Sequence, residues 1–308
     1  MIDGRDPDVR LVFADGFSDH ELLDAGDGRK LERFGGVVLD RPEPQAMWRP
    51  RLDAASWAAA HARFAAGGDD ENGRWTLARP VPETWPMRWR GIAFGCRLTS
   101  FRHVGVFPDQ EPHWAWLADA VGRRAAAGAA TAGEPPRILN LFAYTGVASL
   151  AAAAAGARVT HVDASRKALD WARENQAASG LPADGIRWIL DDAKKFVARE
   201  VRRGSRYDGI LVDPPKYGHG PKGEVWDVFA DLRDLLEGCR DVLAPGGFLV
   251  LTVYALRASF VAIDRLARDV LAPVGGRTIC GELVMRSKDA RTVVPTSLYV
   301  RYEADGAP

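Results

Sequence analysis

The pattern of apolar and polar positions marks the middle of the chain as a βαβ unit. An apolar run over 137–143, directly after two prolines, predicts a buried strand. A turn at 144–146 leads into an alanine-rich helix over 147–155. A second apolar strand over 158–162 ends in Asp163. This order of strand, turn, helix, strand and acid is typical of nucleotide-binding sheets.

The alternation of strands and helices continues towards the C-terminus. A helix over 114–130 precedes the βαβ unit. After it, the pattern predicts strands over 186–190, 207–212, 248–254, 278–285 and 292–302, and helices over 166–179, 193–203, 225–243 and 259–271. Five β/α units and a closing hairpin indicate an α/β fold with a Rossmann-like, doubly wound sheet of seven strands.

The first part of the chain lacks helical periodicity and is rich in Gly, Pro and Trp. It predicts short strands over 11–14, 21–24, 30–34, 37–40, 74–77, 87–89 and 92–99, and a helix over 56–66. Ala25-Gly26-Asp27-Gly28 suits a hairpin turn. We therefore expect two domains, a small β-rich one over 1–115 and an α/β one over 116–308. Five tryptophans of the small domain favour packing over base stacking: Trp48, Trp57, Trp75, Trp85 and Trp89.

Composition narrows the class of protein. A length of 308 residues fits two domains, and 47% hydrophobic residues is ordinary for a globular protein. We expect no membrane span and no signal peptide, hence a cytoplasmic protein. The three cysteines, Cys96, Cys239 and Cys280, have neither disulfide nor zinc spacing, so no metal site is predicted. A net charge of +0 argues against a generic nucleic-acid coat but not against a local basic patch.

The turn after the first strand of the βαβ unit suggests which nucleotide binds. A pyrophosphate site needs several glycines, whereas this turn has Gly146 alone, with the bulkier Phe142 and Tyr144 beside it. Such a turn suits an adenosine without phosphates, and S-adenosylmethionine is the common one. Asp163 lies near the spacing of roughly 20 residues expected for a carboxylate that binds a ribose diol. An ordinary βαβ crossover is the alternative.

Ligands of doubly wound sheets lie at the carboxyl ends of the strands. Asp192, followed by Ala193, could accept from an adenine amino group, although a helix N-cap is nearly as good an interpretation of this aspartate. The candidate cofactor residues at these strand ends are Asn140, Phe142, Tyr144, Thr145, Gly146, Asp163, Ala164, Asp191, Asp192, Ala193 and Asp213.

The loop over 212–223, VDPPKYGHGPKG, is the candidate reaction loop. Two prolines fix the backbone and can hold the carbonyl of Asp213-Pro214 towards the cleft. Asp213 and that carbonyl could accept hydrogen bonds from a base edge, Tyr217 could stack on a flipped base, and Lys216 could touch a phosphate. The candidate catalytic residues are Asp213, Pro214, Pro215, Lys216 and Tyr217. The alternative is a rigid Pro-Pro turn with a solvated lysine.

Four segments, ILNLFAYTGVAS, HVDAS, LDDA and VDPPKYG, resemble the class I S-adenosylmethionine-dependent methyltransferases. More narrowly, they resemble the bacterial family of ribosomal large-subunit RNA methyltransferases I and K/L. The resemblance is strong over about 101–260 and weak over 1–100. It implies a methyltransferase fold and ribosomal RNA as partner. The segment FRHVGVFPDQEPHW is similar to the family's T-G-x-(F/Y)-x-D-Q segment, which implies that Phe107 and Gln110 also bind the cofactor.

One departure from the family bears on the target atom. Cytosine C5 methylation needs a thiolate that adds to C6, and the cytosine-C5 branch carries that cysteine after the strand corresponding to 248–254. Here the positions read Val253-Tyr254-Ala255-Leu256. A base nitrogen, which is already nucleophilic, is therefore favoured. A protein or small-molecule methyltransferase, a non-catalytic S-adenosylmethionine-binding module and a Rossmann oxidoreductase are alternatives, and a homo-oligomer is left open.

Overall fold

The computed structural model describes residues 7–67, 72–130, 133–254 and 258–306, without the side chains of 127–130. The chain divides into two units. The larger comprises Met1–Val12, His113–Glu282 and Ser297–Pro308, and the smaller comprises Phe13–Pro112 and Leu283–Thr296. This division differs from the expected 1–115 and 116–308 mainly in two segments, the N-terminal strand and the tip of the C-terminal hairpin. Local sequence patterns do not show to which unit these two segments belong, because that depends on contacts between distant parts of the chain.

The strands are β1 (Val9–Phe13), β2 (His20–Gly26), β3 (Arg29–Phe34), β4 (Val37–Pro42), β5 (Ala62–Ala66), β6 (Gly73–Leu77), β7 (Trp85–Trp89), β8 (Ile92–Cys96), β9 (Arg137–Leu141), β10 (Arg158–Asp163), β11 (Ile186–Leu190), β12 (Tyr207–Val212), β13 (Tyr217–His219), β14 (Val225–Asp227), β15 (Leu243–Tyr254), β16 (Arg277–Arg286) and β17 (Val293–Glu303). The helices are α1 (Ala54–Ala58), α2 (Glu111–Ala130), α3 (Val147–Ala154), α4 (Arg166–Ala178), α5 (Ala193–Arg202), α6 (Val228–Val242) and α7 (Phe260–Leu271). Short 3-10 helices span Pro108–Gln110 and Ala272–Val274. None of the described helices is long and apolar enough to cross a membrane.

The larger unit is built on a mixed sheet with the order β1-β16-β17-β15-β12-β9-β10-β11. Strands β15, β12, β9, β10 and β11 run parallel, and β17 pairs antiparallel with β15. The predicted α/β fold class is confirmed. Within the described residues the sheet has eight strands rather than the predicted seven, because β1 adds to the edge beside β16.

The strand order places a topological switch point at β9. From β9 the chain goes to β10 and β11 on one side and then crosses to β12 and β15 on the other side. Leu139, Val162 and Ile210 of the three central strands are fully buried. A ligand site is expected outside the carboxyl ends of β9 and β12, where the crossovers leave in opposite directions. The segments after those two strands are the turn 142–146 and the loop from Asp213.

The smaller unit has a sheet with the order β2-β3-β4-β5-β6 and a separate hairpin of β7 and β8. The predicted turn between β2 and β3 is confirmed: Asp27 and Gly28 both adopt positive φ, 49° and 74°, as a two-residue hairpin of this type requires. The predicted helix over 56–66 is wrong. Only Ala54–Ala58 is helical, and Ala62–Ala66 is a strand whose buried Phe64 pairs with Trp75.

Some tryptophans of the smaller unit serve packing as predicted. Trp85 and Trp89 are buried, and the Trp89 indole nitrogen donates to Glu111 Oε1 at 3.1 Å. Trp48 is more exposed, although its indole nitrogen donates to the Ala25 carbonyl at 2.8 Å. These contacts fix the rings to the unit's own backbone and side chains.

The predicted helix over 225–243 is wrong at its start. Val225–Asp227 forms strand β14, which pairs antiparallel with β13. The helix begins only at Val228, where the Asp227 carboxylate accepts from the backbone N–H groups of Phe229 and Ala230. The second half of the candidate reaction loop, from Tyr217, is therefore part of a hairpin that precedes α6.

Candidate cofactor and methyl-acceptor site

The turn after β9 has an unusual backbone. Phe142, Tyr144 and Gly146 have φ of 55°, 50° and 86°. The left-handed region is costly for the two aromatic residues, and such conformations persist only where surrounding bonds enforce them. The Ala143 N–H donates to the Val162 carbonyl at 3.1 Å, and the Gly146 N–H donates to the Ala143 carbonyl at 3.1 Å. The turn is thereby tied to the end of β10 and opens the N-terminus of α3.

A chain of buried polar side chains supports this turn from below. Asn140 Nδ2 donates to Ser149 Oγ at 2.9 Å, and Ser149 Oγ lies 3.0 Å from His161 Nδ1. Burial lowers the pKa of His161 to about 3, so the ring is neutral at ordinary pH. A Cβ at Gly146 would lie 3.2 Å from Ala172 Cβ and 3.4 Å from His161 Cε1. The hydrogen-bonded side chains and the missing Cβ of Gly146 together let the turn approach β10 closely.

Asp163 joins the turn to the end of β10. Its Oδ2 accepts from the Tyr144 N–H at 2.8 Å, and its Oδ1 accepts from the Ser165 N–H at 2.8 Å. The side chain is only partly buried. Burial raises the pKa of Asp163 above its ordinary value, against the backbone N–H groups of Ser165 and Tyr144, which lower it. A carboxylate oxygen has more than one lone-pair site, so each can still accept a bond from a ligand.

The two aspartates after β11 have partners of their own. Asp192 caps α5, its Oδ1 accepting from the Lys195 N–H at 2.9 Å. Asp191 is paired with Arg199 through Oδ2, and its Oδ1 accepts from the Asp192 N–H. The Asp191 N–H donates to the Asp163 carbonyl at 3.1 Å, which brings this strand end beside Asp163. The helix-capping interpretation of Asp192 is confirmed, and its contact with adenine stays a prediction.

The candidate reaction loop begins where β12 ends. Asp213 is half-buried, Pro214 is buried, and Pro215 and Lys216 are exposed. The loop is held from beneath by Trp226, whose indole nitrogen donates to the Pro215 carbonyl at 2.7 Å. The same ring contacts Phe142, with centroids 4.9 Å apart. Trp226 therefore connects the turn after β9 to the loop after β12 across the switch point.

The remaining predicted residues are distributed between the two units. In the larger unit, Thr145 is buried and its carbonyl accepts from Asn175 Nδ2 at 2.9 Å, while Ala164 is partly exposed and Ala193 is buried. Phe107 and Gln110 belong to the smaller unit, at the 3-10 helix before α2. The Phe107 ring lies 4.6 Å from the His103 ring. The cofactor contacts of these residues stay predictions.

The cysteines lie away from the reaction loop in sequence and are inaccessible. Cys96, Cys239 and Cys280 are all fully buried, on β8, α6 and β16. Burial raises the pKa of Cys96 and of Cys280 to about 12 and raises that of Cys239 further. In the sequence, Tyr254-Ala255 stands where the cytosine-C5 branch has its cysteine. Tyr254 ends β15, whereas Ala255 lies outside the described residues. No group of three His, Cys, Asp or Glu side chains in the described part of the chain could hold a metal ion.

The chain is similar to known methyltransferases in sequence and in fold. The sequence profile of a family described as S-adenosylmethionine-dependent methyltransferase matches residues 42–270. The chain belongs to this family. A solved structure titled SAM-dependent methyltransferase from Agrobacterium tumefaciens is 48% identical, covers 97% of this chain and 96% of its own, and superposes with a TM-score of 0.88. A methyltransferase crystallised with SAH superposes with a TM-score of 0.71 at 17% identity and shows the shared fold alone.

Curated relatives of this methyltransferase include larger proteins. A ribosomal RNA large subunit methyltransferase K/L of Shewanella frigidimarina is 33% identical over 172 residues, which are 53% of this chain and 21% of that protein. The protein of the same name from Pseudomonas putida is 37% identical over 161 residues, 52% of this chain and 20% of that protein. The chain thus spans about a fifth of the length of these relatives.

The cofactor of the methyltransferase family is S-adenosylmethionine. The residues after β9 and β10 fit this cofactor. A ribose diol offers two hydroxyl donors, and the two oxygens of the Asp163 carboxylate have lone pairs beyond those that accept from the Tyr144 and Ser165 N–H groups. The turn carries aromatic side chains where a pyrophosphate site would have glycines, so a ligand without phosphates is favoured. These features agree with an adenosyl ligand.

Several supporting residues escaped the sequence analysis. Ser149, His161 and Trp226 hold the two loops, and Arg199 pairs with Asp191. The position of Ser149 on the first turn of α3, beside the βαβ turn, is a weak local signal. No local signal identifies Trp226, because one of its contacts, Phe142, is distant in sequence and the other, Pro215, lies across the hairpin.

Proposed function

We propose that this methyltransferase methylates a nitrogen atom of a base in RNA, with ribosomal RNA as the natural substrate. The observation that carries the proposal is the Asp213-Pro214-Pro215-Lys216 loop at the switch point, fixed to the cofactor turn through Trp226. Relatives named ribosomal RNA large subunit methyltransferase support RNA as the acceptor. Ribosomal RNA as substrate also supports a cytoplasmic location.

The chain's own residues suit an in-line transfer. Bound S-adenosylmethionine supplies an electrophilic methyl group on a sulfonium, so the sulfur–carbon bond breaks as a nitrogen–carbon bond forms. Asp213 and the Asp213-Pro214 backbone position the base edge as hydrogen-bond acceptors, which is the main contribution an enzyme makes to such a displacement. The Asp213 carboxylate can hold the proton that the methylated nitrogen releases. Tyr217, 55% exposed, offers a face on which the base can stack.

The cysteines favour nitrogen over cytosine C5. Attack on C6 requires a thiolate, and burial disfavours ionisation of all three thiols. A nitrogen acceptor has its own lone pair and needs no covalent enzyme adduct.

Mass-spectrometric comparison of ribosomal RNA nucleosides from wild-type and deletion strains tests the substrate. We expect one methylated nucleoside to disappear on deletion, and recombinant protein with methyl-labelled cofactor to restore it. Labelling of protein or of a small molecule, with RNA unlabelled, would contradict the proposal. Cofactor binding without any transfer would indicate a binding module instead.

Fluorinated RNA tests the target atom. A cytosine-C5 enzyme is trapped on 5-fluorocytosine RNA, because the fluorine blocks release after a thiolate has added to C6. We expect wild-type protein to release this RNA under denaturing conditions. We also expect the triple variant Cys96→Ser, Cys239→Ser, Cys280→Ser, if folded, to keep most of its transfer. A denaturant-resistant complex of the wild type would exclude nitrogen methylation. This outcome can be observed even if the triple variant does not fold.

A further inference from the structure

The β13–β14 hairpin, which begins within the reaction loop, carries side chains that neither cofactor binding nor folding explains. Residues Tyr217–His219 and Val225–Asp227 pair antiparallel, with Tyr217 opposite Asp227. Phe229 follows on the first turn of α6 and is 64% exposed, although Val228 and Leu232 of that helix are buried. The exposed side chains of Lys216, Tyr217, His219, Lys222 and Phe229 are here called the hairpin surface.

The hairpin surface is rigidly mounted. Trp226 beneath it is buried and bonded to the Pro215 carbonyl, and the Val228 N–H donates to the Lys216 carbonyl at 3.1 Å. The Tyr217 and His219 rings lie edge to face, with centroids 5.3 Å apart. Large aromatic groups that are held in place while exposed to water offer flat faces to a ligand at low entropic cost.

The charges of the hairpin surface favour an anionic partner. Each nearby carboxylate already has a partner: Glu224 pairs with Lys195 at 2.7 Å, Asp231 pairs with Lys194 at 2.6 Å, and Asp227 caps α6. Among the described residues, Lys216 and Lys222 have no carboxylate partner. Lysines thus neutralise Glu224 and Asp231, and the Asp227 charge is held at the N-terminus of α6. Lys216 and Lys222 remain available for phosphates.

We propose that the hairpin surface binds unpaired nucleotides flanking the methylated base, with Phe229 stacking on a flanking base and Lys222 contacting the backbone, while Tyr217 stacks on the methylated base itself. Alternating aromatic faces and cations are the chemistry of single-strand recognition, whereas duplex RNA offers phosphates and few open base faces. The inference rests on the proposed RNA substrate and adds its form: the acceptor lies in an unpaired segment.

Fluorescence anisotropy with a short labelled single-stranded RNA of mixed sequence, and with the same RNA in a duplex, tests the inference on the full-length protein. Phe229→Leu should weaken single-strand binding about tenfold, since stacking on one aromatic ring has about that value. Phe229→Tyr keeps the ring and should restore binding to within about twofold of wild type. Both variants alter an exposed side chain, and calorimetry with S-adenosylmethionine confirms that the cofactor site is intact.

The salt dependence tests the lysine. Lys222→Gln should lower the slope of log affinity against log salt by about 0.7, the value for one phosphate contact on a single strand. Arg202→Gln removes the same charge from the exposed end of α5 and should leave the slope unchanged. Equal affinity of the wild type for duplex and single strand would overturn the proposal. Wild-type binding by Phe229→Leu would also overturn it.

The two proposals fail separately. If ribosomal RNA is methylated while Phe229→Leu and Lys222→Gln keep the wild-type KM for RNA, the hairpin surface is not the contact and the proposed function stands. If the variants lose single-strand binding as expected but no RNA accepts a methyl group, the contact stands and the proposed reaction is wrong.

Discussion

Asp163 is where cofactor binding should be most sensitive to a single side chain. It fixes Tyr144 and Ser165 through backbone N–H groups and keeps acceptor sites for a ribose diol. We expect Asp163→Ala to weaken S-adenosylmethionine by about 1.5–3 kcal/mol, the cost of losing hydrogen bonds to a charged group. Calorimetry measures this directly. Asp170→Ala, on the exposed side of α4, is the matched control, and an unchanged affinity of folded Asp163→Ala would place the diol elsewhere.

The raised pKa of Asp163 adds a pH dependence with a definite sign. In the free protein the carboxyl group takes up its proton at a higher pH than an exposed aspartate does, because burial disfavours the charge. Cofactor affinity should therefore fall as the pH drops through that raised pKa. Asp163→Asn should bind more weakly at neutral pH and lack this step.

Asp213 should act on the acceptor rather than on the cofactor. It stands at the end of β12, beyond the buried Val212 and before the buried Pro214. We expect Asp213→Ala to bind S-adenosylmethionine within a few fold of wild type and to lose about tenfold or more in turnover, because only acceptor positioning is removed. Parallel calorimetry and single-turnover transfer separate the two effects. A parallel fall of both would assign Asp213 to the cofactor site.

At this scale, the sequence could identify residues whose role follows from local order. Asp163 is predictable because a strand, a turn and a helix precede it within one continuous segment. The buried chain of Asn140, Ser149 and His161 is not, because its three members lie on different elements and meet only in the folded sheet.

Among the elements, the β13–β14 hairpin couples the two halves of the site. Trp226 contributes one hydrogen bond to the Pro215 carbonyl and one ring contact with Phe142. Trp226→Phe keeps an aromatic ring but removes the indole N–H, so the Pro215 carbonyl loses this hydrogen bond. We expect S-adenosylmethionine affinity within about twofold of wild type and turnover reduced by about tenfold to a hundredfold, since misplacing a reacting group by about 1 Å can cost about a hundredfold.

Hydrogen exchange gives this prediction a second measurement. The amides of Gly218 and Val228, which belong to the hairpin and its junction with α6, should exchange faster in Trp226→Phe. Amides of β9 provide the internal control. Unchanged exchange together with unchanged turnover would mean that the indole hydrogen bond does not position the loop.

The errors at the element scale have a common physical origin. Ala62–Ala66 is rich in alanine, which suits helices, and Val225–Asp227 is only three residues long. The strand character of both therefore depends on partners supplied by Gly73–Leu77 and Tyr217–His219. Strand β1 was predicted close to its true position, but its membership of the larger sheet is decided by β16, far along the chain. Parallel strands with strong apolar runs were predictable, because burial on both faces leaves a continuous signal.

At the scale of the whole molecule, two buried neutral histidines make the free energy of unfolding depend on pH. His161 lies under the cofactor turn, and His113 accepts from Arg301 Nε at 3.0 Å. Burial lowers the pKa of both, that of His161 to about 3, and the charge of Arg301 lowers that of His113 further. In the unfolded chain the same side chains take up a proton near pH 6.5.

These lowered pKa values predict loss of stability on mild acidification. Below about pH 6.5 the unfolded state binds protons that the folded state refuses, so the free energy of unfolding falls with pH, by about 2 kcal/mol for His161 between pH 7 and pH 5. Denaturant titration at the two pH values measures the fall. His161→Gln cannot titrate, so its own fall should be smaller by about that amount, whatever its absolute stability. An equal fall in wild type and His161→Gln would show that His161 titrates alike in the folded and unfolded states, and that the ring is not held neutral beneath the cofactor turn.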